Sequence, residues 1–245
     1  MQSTLETILN HRSIRKFKNT PLTSEQIDTI IDAAQHASTS SYMMAYTIIG
    51  ITDPAKKEEL SRISTQPYVK QNGHLLVFCA DLYKPISKAS EEEYVKMLPN
   101  LENSEHFLVS SIDAALAAQN AALAAESLGL GICFLGSLRN NMGRVDELLH
   151  LPKHVIPLFG MAIGVPDHQP EIKPRLPKEA VYFENEYRHP QNEIDAFDEK
   201  ISAYYQSRSS NQRKDTWSDQ MRRRFLKPIR MDVTDTVQQK GFNKR

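Results

Sequence analysis

The chain has 245 residues, 40% hydrophobic and 24% charged, with 30 basic and 30 acidic side chains and two cysteines. Such a composition predicts a folded chain with a real core, and excludes a disulfide scaffold or a thiolate zinc site. The first twenty residues hold no apolar segment, and the longest apolar run, Leu75–Ala80, falls far short of the ~18 residues of a spanning helix, so the chain is expected to be cytoplasmic, without signal or membrane contact.

The predicted elements begin with a helix from Ser3 to Leu9, opened by a Ser3/Glu6 capping box. A second helix starts at the Thr23/Gln26 box, with Ile27, Ile30, Ile31 and Ala34 on one face. Between them lies the basic connection His11–Phe17. Tyr46–Ile51 reads as a β-branched strand and Leu75–Ala80 as a buried one. Glu105–Leu128 is a long alanine-rich helix, expected to be covered on most sides, and Gly129 and Gly131 end it. Ile132–Leu135 is a third strand, Met142–Leu149 a helix and Pro157–Val165 a fourth strand. The interleaving predicts an α+β sandwich with a mixed sheet. Residues 1–165 form the expected core domain. Residues 166–245 form the second, an extended arm with five prolines up to Pro190 followed by charged helices. This second part carries too little apolar periodicity for a core of its own, so it is expected to need another surface.

The zero net charge is uneven. Arg208, Arg213, Lys214, Arg222, Arg223, Arg224, Lys227 and Arg230 face only Asp215 and Asp219 within residues 207–230. A local positive field points to an anionic ligand or an acidic partner, or simply to a solvated basic helix. No dinucleotide fingerprint, P-loop or serine elbow is present. The histidines are scattered, so no metal site is expected. Cys79 and Cys133 sit on predicted buried strands, where packing explains them.

His11, Arg12, Ser13 and Arg15 are the productive cluster. Arginine forks match phosphate oxygens, and a hydroxyl with backbone N–H groups can complete a cradle. A solvated loop is the plain alternative. Lys173-Pro174-Arg175 is a second cationic cluster on a stiffened backbone.

The run His11-Arg12-Ser13-Ile14-Arg15-Lys16-Phe17 resembles the opening motif of the nitroreductase family, in particular the group A oxygen-insensitive nitroreductases and the flavin reductase P enzymes. The resemblance continues through Ala118-Gln119-Asn120-Ala121, Ala125–Gly131, Leu138-Arg139-Asn140-Asn141, Lys173–Pro177 and Arg213–Asp219, in order along the chain. It implies a nitroreductase-like α/β sandwich with a mixed central sheet flanked by helices, and a homodimer that exchanges C-terminal arms. It also implies one non-covalent FMN per subunit. By position, His11, Arg12 and Ser13 would hold the FMN phosphate with Lys173 and Arg175, and Arg15 would face the pyrimidine edge of the ring. Thr39, Ser40, Gln66 and Tyr68 would line the ring and ribityl chain. Leu135, Gly136 and Ser137 would pass the N5 edge through their backbone, with Ser137 where the family pattern has a second glycine. Arg208 and Arg213 would receive the 2′-phosphate of NADPH, while Arg222, Arg223 and Arg224 are left to surface charge or dimer contact.

The implied activity is NADPH-dependent oxidoreduction. Hydride passes from NAD(P)H to N5 of the bound FMN, and a nitroaromatic, a quinone or free flavin is then reduced in a ping-pong cycle. Negative charge left at the N1–C2=O edge favours a fixed cation there, the part that suits Arg15. The flavin carries the electrons, so no catalytic side chain is named. The competing readings are a flavin carrier or sensor without turnover, and a nucleic-acid binder using the basic tail. The latter lacks both an aromatic stacking array and a reader motif.

Overall fold

Two capping boxes open the chain as the sequence predicts. The Ser3 hydroxyl accepts from the Glu6 N–H at 3.2 Å and Glu6 answers at the Ser3 N–H, starting helix α1 (Thr4–Leu9). Thr23 and Gln26 do the same for α2 (Ser24–Gln35), which buries Ile30 and Ala34. This computed structural model describes residues 3–208 and 212–245. It divides into two compact units: Met1–Glu171 with Arg230–Arg245, and Ile172–Ile229.

The first unit is built on a sheet of four strands: β1 (Tyr46–Ile51), β2 (His74–Asp81), β3 (Gly131–Leu135) and β4 (Val155–Gly164), in the order β1-β2-β4-β3. All the paired strands run antiparallel. The parallel part of the expected mixed sheet is confined, among the described residues, to a single bridge between Ser13 and Ile132. Every residue of β2 is buried. Its alternation decides what covers each face. Leu76 and Phe78 pack with α2 and with helix α6 (Ser104–Ser127), while Leu75, Val77 and Cys79 pack with Leu60 of α3 (Pro54–Ser64) and Val145 of α7 (Met142–Leu149).

Helix α6 meets the core through Ala114, Ala117, Ala118, Ala121, Ala122 and Ala125, small enough for close approach. By length and composition alone it could cross a membrane; its buried alanine face gives it the position of a core helix. The expectation that it is covered on most sides is corrected here. Leu108, Ile112 and Leu116, four residues apart, leave an exposed apolar stripe. Helices α3, α4 (Tyr83–Ile86) and α5 (Glu91–Leu101) are additions to the sequence reading.

The sequence reading places its boundary after residue 165, whereas the first compact unit runs to Glu171 and takes back the C-terminal segment. Val237 of α10 (Val233–Gln239) and the fully buried Phe242 join Leu82, Met142 and Ile156 in a third apolar cluster.

In the second unit, α8 (Gln191–Ser207) and α9 (Trp217–Phe225) follow the irregular arm. The expectation that this part has no core of its own is also corrected. Phe197, Ile201 and Tyr205 recur every four residues on one face of α8 and pack with Leu176, Tyr204 and Trp217. The spacing is regular but spans only two turns, too short to stand out in a charged sequence.

Candidate functional site

The His11–Phe17 connection is built as an extended segment on the edge of β3. The Ile14 N–H donates to the Ile132 carbonyl at 2.9 Å, and the segment then turns along the chain after β4, where the Lys18 N–H donates to Val165 and the Asp167 N–H to Lys16. Gly131 makes this approach possible: a Cβ there would lie 2.5 Å from Ile14 Cγ1.

Alternate residues of this segment have different surroundings. Arg12, Ile14 and Lys18 line a groove of about 770 Å³ with Glu126, Gly129 and His168. The Arg12 guanidinium donates to the carbonyls of Asn10 at 3.1 Å and Pro170 at 3.4 Å. His11 Nδ1 lies 2.7 Å from Glu126 Oε1, in the last turn of α6.

Arg15 instead lies beside the Tyr68 hydroxyl. Burial pushes the Tyr68 phenol up to about 12, the neighbouring Cys133 thiol adds to this, and Arg15 pulls against both. The Cys133 thiol points at the Tyr68 oxygen from 3.7 Å. Tyr68 stands in a short turn whose entry, Gln66, is clamped through its backbone: the Ser61 hydroxyl donates to the Gln66 carbonyl at 3.0 Å, and the Gln66 N–H donates to the Ser64 hydroxyl at 3.3 Å. The turn Gly136–Asn141 follows directly on β3, and the Asn140 amide donates to the Ile63 carbonyl at 3.1 Å, tying that turn to α3. Arg15, Gln66, Tyr68 and Leu135–Ser137 are thus linked through β3 and the end of α3.

Thr39 and Ser40 open a separate loop. Its anchor is Asp113, fully buried in α6, which accepts from the Ser40 N–H and the Ala45 N–H, both at 3.0 Å. Ser41, Tyr42 and Met44 adopt left-handed φ values of 50°, 58° and 48° between these two bonds. Such a backbone needs an outside hold. The same carboxylate, after burial, raises the Tyr46 phenol above its ordinary value. Sequence reasoning assigns no role to Asp113 or Glu126; the one signal is an acid standing alone among alanines.

In the second unit the cations rest on tyrosines. Arg213 lies 4.0 Å above the Tyr205 ring, Lys173 lies 5.7 Å from the same ring, and Arg208 lies 5.9 Å from Tyr204. Burial pushes the Tyr205 phenol up, but Lys173 and Arg213 outweigh it and hold the group below its ordinary value. Arg213 also donates to Gln220 at 3.0 Å and lies 3.6 Å from Asp215. Arg223 grips both oxygens of Asp215, at 2.7 and 2.8 Å, and Arg222 pairs with Asp219. Arg175 donates to the Lys173 carbonyl at 2.7 Å. Arg208 has no carboxylate partner among the described residues.

Both cysteines are buried and unpaired; burial pushes the Cys79 thiol up to about 12, with Asp81 and Asp146 adding to it. Among the described residues no group of three or more His, Cys, Asp or Glu side chains is placed to hold a metal.

Residues 8–165 match the nitroreductase family, and residues 173–245 match the C-terminal domain of that family. The chain belongs to the nitroreductase family. It is similar to the FMN reductase (NADPH) of Bacillus subtilis strain 168, with 53% identity over the whole of both chains. The structure of the NfrA1 nitroreductase from B. subtilis superposes with a TM-score of 0.94 at 51% identity, covering 99% of this chain and all of that one. The NADPH:FMN oxidoreductase from Vibrio harveyi, solved with NAD+, superposes with a TM-score of 0.89 at 38% identity and covers 99% of each chain. The nitroreductase fold, helices packed on an antiparallel sheet, is therefore the fold of this chain, and the chain is an oxidoreductase of that family.

Proposed function

We propose that this nitroreductase-family chain is an NADPH-dependent FMN oxidoreductase of the flavin reductase and nitroreductase type, cytoplasmic and working as a homodimer. The observation that carries the reading is the position of Arg15 beside the half-buried Tyr68 phenol, with the Gly136 turn at the end of β3. The donor set suits a flavin: a fixed cation for an electron-rich ring edge, a neutral hydroxyl, and a backbone without a Cβ for close approach. When bound, FMN supplies the two-electron chemistry that joins NADPH to a second substrate.

The chain's own residues bind and orient. Arg15 has no carboxylate partner among the described residues, so its field is not offset before it reaches a ligand. Tyr68, with its phenol near 12, stays protonated at neutral pH and serves as a donor. Ser13 and the backbone of the β3 edge offer a place for a phosphate, and His11 and Arg12 flank it. Thr39 and Ser40 enter on a loop whose shape Asp113 fixes. Gln66 and Leu135–Ser137 complete the lining. Lys173 and Arg175 join as phosphate-facing cations on the strength of the resemblance, and Arg208 and Arg213 as readers of the 2′-phosphate. No side chain is required to carry a proton to or from the reacting atoms.

Homodimer formation is supported by two exposed apolar surfaces of the first unit: Leu5, Ile8 and Leu9 on α1, and Leu108, Ile112 and Leu116 on α6. A second copy would cover both.

Initial rates with NADPH varied against nitrofurazone, a quinone or free FMN test the reading. Parallel double-reciprocal lines with at least one acceptor are expected. A yellow protein that NADPH bleaches but no acceptor restores would support a carrier; a colourless protein without turnover would overturn the proposal.

A further inference from the structure

A cavity of about 550 Å³ lies in the first unit, lined by the loop around Pro21 and Leu22, the start of α3 and the residues from Lys70 to His74. None of its lining residues has a role above. Lys57, Lys70 and His74 stand in its wall, with Glu58 as the one carboxylate. Both oxygens of Glu58 accept from Lys70 Nζ, at 3.1 and 2.8 Å, so that charge is neutralised within the wall.

Lys57 and His74 remain. Lys57 Nζ donates to the neutral Asn72 Oδ1 at 3.0 Å, and it has no carboxylate partner among the described residues, so two of its protons remain available. His74 is only 7% exposed, and its ring makes no hydrogen bond among the described residues. The ring is held against β1, where Gly50 makes room: a Cβ there would lie 3.0 Å from His74 Nε2. Burial, and then the Lys57 charge, lower the basicity of His74, and burial lowers that of Lys57. Two neighbouring cationic groups disfavour each other's charge. A bound anion relieves both.

We propose that this cavity binds an oxyanion, the phosphate or carboxylate of a small organic molecule, held by Lys57 and His74. Pro21, Leu22 and Ile27 offer apolar wall to the rest of such a ligand. The other charged groups lining the cavity, Lys70 and Glu58, are committed to each other and add little net field.

Sulfate is the probe, because it stays doubly charged between pH 8 and pH 6. The full-length, flavin-loaded protein, labelled in its histidine rings, is titrated with sodium sulfate at ionic strength held constant with sodium chloride. The His74 resonance is assigned by its loss in His74→Gln. A saturable shift of that resonance is expected, with its protonation midpoint about one pH unit higher at saturation, equivalent to about tenfold tighter binding to the imidazolium. Affinity should rise as the pH falls. Lys57→Met should weaken sulfate at least fivefold and, without sulfate, raise the His74 midpoint, which also reports that the wall is intact. No saturable shift in the wild type, or the same shift with the same affinity in Lys57→Met, would overturn the proposal.

Discussion

The two units hold their cations in different ways. Around β3, Arg15 lies beside groups fixed by backbone and strand, Tyr68 in a clamped turn and Cys133 in β3, while the separate loop of Ser40 hangs on a fully buried carboxylate. Around α8, Lys173, Arg208 and Arg213 lie over tyrosine faces, and the apolar cluster beneath them has three buried members. The first arrangement is stiff because core packing enforces it. The second depends on stacking and charge pairs near the surface, each worth about 1 kcal/mol or less. Changes to the buried supports of the first region should therefore disturb fold and flavin together, a change at the exposed Arg15 should disturb flavin affinity alone, and changes in the second region should disturb substrate affinity with little effect on the fold.

The largest effect is expected at Asp113. Asp113→Ala strands two N–H groups and frees a loop with three left-handed residues. A loss of about 3 kcal/mol or more is expected in chemical denaturation. Asp113→Asn should recover only part of it, because the amide keeps one acceptor oxygen. A variant as stable as the wild type would mean that the loop holds itself.

Next comes the dinucleotide. A charge-assisted hydrogen bond is worth about 1.5–3 kcal/mol, or about 10- to 150-fold in binding. Arg208→Ala should raise KM for NADPH about tenfold or more, with kcat and KM for NADH nearly unchanged, since contacts far from the hydride bind ground and transition states alike. Arg213 sharpens the contrast. It is also tied to Tyr205, Gln220 and Asp215, so Arg213→Ala should lower the melting temperature as well, where Arg208→Ala should not. Equal losses with both nicotinamides would assign these arginines to the fold.

A smaller effect concerns pH and the core. His154 is buried against Tyr94 and Gly241, and burial, then Lys153, lower its basicity. His74 is lowered in the same direction. In both cases the unfolded chain binds protons more readily than the folded one. Their contribution to stability is full above the ordinary histidine value of about 6.5 and is lost as the pH falls below it. Denaturation midpoints should thus drop between pH 7.5 and pH 5.5, and less steeply in His154→Gln. The smallest effect is expected at the cysteines. Cys79→Ala should leave NADPH-driven turnover within about twofold while costing stability through the cavity it opens. Loss of turnover in a folded, flavin-loaded Cys79→Ala would show that the thiol does more than pack.

The same contrast explains what the sequence makes legible. The capping boxes at Ser3/Glu6 and Thr23/Gln26 mark α1 and α2, and the β-branched run Tyr46–Ile51 marks β1. These signals are local. Helix α3 carries a start signal, Asp53-Pro54, but its charged sequence shows no strong apolar stripe for a periodicity scan to find, whereas α5 carries both the Ser90/Glu93 box and the apolar set Tyr94, Met97 and Leu101, masked by Pro99, which reads against a helix. The HRSIR run is legible as a cluster of chemistry, while its division is not. Only the bridge to Ile132 reveals that Arg12 turns to backbone carbonyls and Arg15 to Tyr68. Asp113 is hidden for the same reason: its partners lie 73 and 68 residues away.

The central claim is that the end of β3 holds a non-covalent FMN through Arg15. Flavin released by acid from the purified chain, compared with Arg15→Ala, tests it most directly. The wild type should release one FMN per chain and leave none on the protein. Arg15→Ala should fold and bind added FMN about tenfold or more weakly. Release of FAD, flavin that stays on the denatured chain, or undiminished FMN affinity in Arg15→Ala would contradict the account.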